Sequence, residues 1–136
     1  MHFRAAVPYL VGGAILVGAA FVVLSGRAQK RFEEGQAFER EGKLTDAIER
    51  YEWAIQAYTP FGTYPPRALE RLRVIAQEAE VSGSTSTAIE AWQSVVSSLA
   101  VIDNIGQPYD MERIEAETHL DELRGKGNLT SPKRTP

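Results

Sequence analysis

Residues 42–55 read GKLTDAIERYEWAI, and residues 83–96 read GSTSTAIEAWQSVV. In both, a glycine is followed five residues later by Ala-Ile-Glu, then by a large aromatic residue and a small or branched apolar one. The correspondence pairs Gly42 with Gly83, Ala47 with Ala88, Tyr51 with Trp92 and Ala54 with Val95. A self-similar segment at a period near 40 residues signals a chain built from repeated supersecondary units. Within each copy the apolar residues recur at spacings of three and four, which places them on one side of a helix. Glycine ahead of such a stripe fits the left-handed residue that ends a preceding helix. Upstream, Pro66 leads into Leu69-Glu70-Arg71-Leu72, and Pro108 leads into Met111-Glu112-Arg113-Ile114. A third glycine, Gly125, extends the series.

The stripes predict helices over 44–58, 66–82, 87–101 and 108–124, with Thr45 or Asp46 starting the first. The last has a thin apolar face (Met111, Ile114, Ala116, Leu120, Leu123) set among acidic residues, which suits a helix closing an array. From Gly125 the sequence GKGNLTSPKRTP has almost nothing apolar and is expected to be a disordered tail.

These residues resemble a tetratricopeptide repeat, a helix–turn–helix unit. In the first unit the matching positions are Gly35, Phe38, Gly42, Ala47, Tyr51, Ala54 and Pro60. In the second they are Leu72, Ile75, Ala76, Ala79, Gly83, Ala88, Trp92 and Val95. The likeness covers roughly 28–124. It departs from the family at Arg31, Glu34 and Thr85, where apolar residues are usual, and in a period longer than the family's. It implies an all-α fold with about two hairpins and a capping helix, and a protein-binding groove lined by the first helix of each pair, here Arg31, Glu34, Phe38, Arg71 and Gln77.

Composition divides the chain. Residues 5–26, AAVPYLVGGAILVGAAFVVLSG, contain no charge, whereas the rest is densely charged, with a net charge of −3. Twenty-two helical residues at ~1.5 Å each reach roughly 33 Å, enough for a hydrocarbon core of ~30 Å. The expectation is therefore a transmembrane anchor over 1–26, a repeat domain over 27–124 and a tail over 125–136. A cleaved signal peptide is the rival reading. Basic residues after the span (Arg27, Lys30, Arg31) outnumber Arg4 before it, which orients the domain toward the cytoplasm in a single-pass protein, for instance of the bacterial inner membrane. Small residues at Gly12, Gly13, Gly18 and Ala19 give a strip where a partner's helix could approach.

Chemistry is sparse. Absence of cysteine excludes disulfides and thiolate metal sites. Glu115, His119 and Glu122 lie within reach on one helix face, but three such groups on a surface helix lack the enclosure of a metal site. Adjacent carboxylates (Glu33/Glu34, Glu78/Glu80, Asp121/Glu122) fall on amphipathic helices facing water. No phosphate loop or nucleophile elbow occurs. The acidic balance excludes a general nucleic-acid binder. Neither an enzyme nor a cofactor is expected. The connection 58–66, YTPFGTYPP, concentrates aromatics and prolines, which makes Phe61 and Tyr64 candidates for partner contact. The leading expectation is an assembly subunit of a membrane complex, contacting other subunits and lipid, with self-association possible. The alternative is a membrane-tethered receptor or chaperone adaptor that captures polypeptide segments transiently.

Overall fold

A computed structural model of the chain describes residues 6–103 and 109–129, with side chains from 13 to 103 and from 109 to 127. Five helices occupy them: α1 (Ala6–Arg40), α2 (Leu44–Gln56), α3 (Tyr64–Val81), α4 (Thr85–Ile102) and α5 (Asp110–Leu129). No strand occurs among the described residues. The second half of α1 pairs with α2, α3 pairs with α4, and α5 packs on α4. Across the pairs α2 packs on both α3 and α4, so the two hairpins stack into a repeat-like helical bundle.

Both hairpin turns have the same construction. Gly42 (φ +73°) and Gly83 (φ +77°) sit in the left-handed region just past α1 and α3. The Gly42 N–H donates to Glu39 O (3.0 Å) and the Lys43 N–H to Phe38 O (2.9 Å). The Gly83 N–H donates to Glu80 O (3.1 Å) and the Ser84 N–H to Ala79 O (2.8 Å). The longer-range bond of each pair has the geometry of a Schellman motif, which satisfies carbonyls the helix end would otherwise leave open. Residues 38/79, 39/80, 42/83 and 43/84 thus correspond at a spacing of 41.

The stripes read from the sequence supply the buried faces of α2, α3 and α4, whereas in α5 Met111 and Ile114 of the expected face are exposed. Ala47, Ile48, Tyr51, Ala54 and Ile55 of α2 are buried, as are Ala68, Leu69, Leu72, Ile75, Ala76 and Ala79 of α3 and Ala88, Ala91, Trp92, Val95 and Leu99 of α4. They form one core, joined by Phe32 from α1 and by Ala116, Leu120 and Leu123 from α5. Pro65 and Pro66 fall in the first turn of α3, where a missing N–H is harmless.

Four expectations are corrected. First, among the described residues no helix is long and apolar enough to cross a membrane. That overturns the transmembrane helix over 1–26, and with it the single-pass membrane localisation. The charge-free run that ends at Gly26 does not form an element of its own. The helix does not stop there but runs on through Arg27, Lys30 and Arg31 to Arg40. Second, the start of α2 lies at Leu44 with Lys43 at the cap and no side-chain cap bond, so neither Thr45 nor Asp46 caps it. Asp46 instead lies in the first turn, where a negative charge faces the positive end of the helix dipole. Third, Gly125 lies inside α5 and does not repeat the turns of Gly42 and Gly83. Fourth, α5 continues to Leu129, past the expected boundary at 124. The rest of the expected tail, 130–136, lies outside the described residues.

Candidate functional site

Each hairpin has a polar lock at its centre. The Tyr51 hydroxyl donates to Glu39 Oε2 (2.7 Å), and the Trp92 indole N–H donates to Glu80 Oε1. Both donors lie twelve residues after their acceptors, so the locks obey the repeat. Each glutamate also meets a basic side chain from a later helix. Glu39 is paired with Arg71 of α3. Glu80 Oε1 lies 2.9 Å from His119 Nδ1 of α5, although that contact lies off the line of a hydrogen bond. The His119 ring stacks on Trp92 at 4.5 Å between centroids and 14° between planes. Burial first, then the bond to Glu39 and its charge, push the Tyr51 phenol well above its ordinary pKa, against the opposing effect of Arg71.

These contacts account for several candidate residues structurally. Glu115, His119 and Glu122 do not converge: Glu115 holds Arg73 at 2.7 Å, and His119 faces Glu80 and Trp92. No metal-competent group of side chains occurs among the described residues. Arg71 lines a small cleft with Gln36, Glu39 and Arg40, its charge already matched by Glu39. Gln77 is exposed on α3 and joins none of the other candidates.

The two loop aromatics separate. Tyr64 turns inward as the first residue of α3, its ring 5.7 Å from Phe32 and capped by the Arg67 guanidinium. Phe61 is 88% exposed. Thr59 is buried beneath the loop, with its hydroxyl beside the point where a Gly62 Cβ would fall. Of the helix-packing candidates, Gly13, Gly18 and Ala19 are exposed, and the side chain of position 12 lies outside the described ones. Ile15, Leu16, Val17, Val22 and Val23 of the same segment are also exposed, so this part of α1 stands clear of the bundle.

Three of the candidates do come together. On the face shared by α1 and α2, Glu34 pairs with Arg31 (2.9 Å) and lies 3.7 Å from Arg50. Both guanidinium groups lie over the Trp53 indole, at 4.6 Å and 4.8 Å from its centroid. Arg50 also approaches the Phe38 ring at 5.8 Å. Next to this stack opens a cleft of about 620 Å³ lined by Arg27, Lys30, Arg31, Trp53, Gln56 and Ala57. Arg31 and Glu34 were legible from the family resemblance and Phe38 from its place in the pattern. Trp53, Arg50, Arg27 and Lys30 were missed as site residues. Trp53 falls off the apolar stripe of α2, and an aromatic residue on a helix's polar side with Arg50 one turn before it was the available signal.

The arrangement offers positive charge beside one flat aromatic surface. Compared with protein-family models, characterised proteins and solved structures, the chain matches none.

Proposed function

We propose that the chain is a protein-interaction scaffold, with tetratricopeptide-like hairpins, that holds a segment of a partner protein on its α1–α2 face. The observation that carries this reading is the contrast between the two sides of α2. One side is used within the array: Glu52 accepts from Ser94 (2.9 Å) and Ser97 (3.0 Å), and Thr45 donates to Glu90 (3.1 Å). The other side carries Trp53, half-open to solvent, at the end of the stack where another repeat would otherwise lie. Aromatic and arginine side chains are the types that anchor protein interfaces, because they supply contact area at a low entropy cost.

The reading predicts a localised partner. A photo-crosslinking residue at exposed Gln56 should give one discrete adduct in cells that express the protein, and the same residue at exposed Thr118 of α5 should not. Equal labelling from both positions, or none from Gln56, contradicts it.

A further inference from the structure

The cleft beside Trp53 carries more positive charge than its own carboxylates balance. Arg27, Lys30 and Arg31 line it, and no acidic residue does. Glu34 engages Arg31 and Arg50 from the side. Arg27 and Lys30 have no ion-pair partner among the described residues. They lie three residues apart on α1, so their side chains neighbour one another on one helix face. The chain as a whole is acidic, at −3, so this patch stands against the average.

We propose that this cleft takes an acidic polypeptide segment, its carboxylates paired with Arg27 and Lys30 and an apolar or aromatic side chain resting on Trp53. The inference rests on the interaction-scaffold reading and adds the chemistry of the partner. One observation chooses carboxylate over phosphate. The site already holds a carboxylate, since Glu34 sits between two guanidinium groups that stack on the indole. The stack of Arg31 and Arg50 on the indole holds Trp53 in place before a ligand arrives, which reduces the cost of ordering that surface.

Trp53 provides the readout, because Trp92 is fully buried and contributes a constant background. Titrating the full chain with a glutamate-rich peptide should give a saturable change in indole emission, absent in Trp53→Phe and weakened by salt. Reversing two exposed charges (Arg27→Glu with Lys30→Glu) should weaken binding on the order of tenfold, since each exposed pair contributes modestly. Neither side chain belongs to the core, so circular dichroism should match the parent.

The inference is overturned if the glutamine counterpart of the peptide binds equally, if charge reversal has no effect, or if an oligonucleotide competes more tightly than the peptide. An adduct at Gln56 with a partner segment lacking acidic residues overturns this inference while leaving the scaffold reading intact. Peptide binding without any adduct at Gln56 does the reverse.

Discussion

At the scale of single residues, the fold turns on how closely two helices approach under Tyr51. A Cβ placed on Gly35 would lie 2.7 Å from the Tyr51 ring. Tyr51 is fully buried and cannot swing away. Gly35→Ala should therefore destabilise the protein by about 1–3 kcal/mol in a denaturant melt, although alanine in a helix interior ordinarily gains about 1 kcal/mol over glycine. The same change at Gly18, where nothing lies within 4 Å, should not destabilise. The hydroxyl of Tyr51 gives a second, pH-dependent test. Its folded pKa is raised above the ordinary 10.0, so the fold favours the protonated phenol. That contribution is intact below the unfolded value and is lost as pH climbs through the folded one. Stability should fall in alkaline solution above about pH 10, and Tyr51→Phe should blunt the fall. The variant should cost about 1–2 kcal/mol at neutral pH, because Glu39 loses a donor but keeps Arg71.

At the scale of elements, the paired turns carry the design. Gly42 and Gly83 take a backbone conformation that costs other residues roughly 1–2 kcal/mol. Gly42→Ala and Gly83→Ala should each lower the midpoint by a similar amount, and the effects should add in the double variant, since the turns share no contact. The middle helices were legible in the sequence because periodicity, glycine and proline all mark them. α2 and α4 start where their glycines require, and α3 starts at its prolines. The two outer helices were not legible in the same way. The charge-free run of α1 and its amphipathic run meet at Gly26, through which the helix continues, so composition suggested two elements where the backbone makes one. In α5, Gly125 was read as a terminator, but glycine only permits a turn, and here the helix continues through it. The locks at Tyr51 and Trp92 were half-legible: both aromatics stood out, but their acceptors Glu39 and Glu80 looked like ordinary surface acids. His119, weighed in the sequence only as one of a possible metal trio, instead packs its partly exposed ring flat on Trp92.

At the scale of the molecule, the core begins at Ala28 and Phe32, so the hairpins do not depend on the apolar start of α1. Deleting residues 1–23 should leave the unfolding midpoint of the remainder nearly unchanged. A large drop would contradict the exposure of residues 13–23. The array ends on one side in acidic α5 and on the other in the cationic face of α1 and α2, and the proposed docking face rests on that asymmetry. All of this depends on two hairpins stacked in the register set by the 41-residue spacing. Proton–proton contacts in the aromatic region of a nuclear magnetic resonance spectrum test it most directly. The account predicts cross-peaks between the Tyr51 ring and the Gly35 α-protons, and between the Trp92 indole and the His119 ring. A spectrum in which Tyr51 and Trp92 contact only their own helices would contradict it.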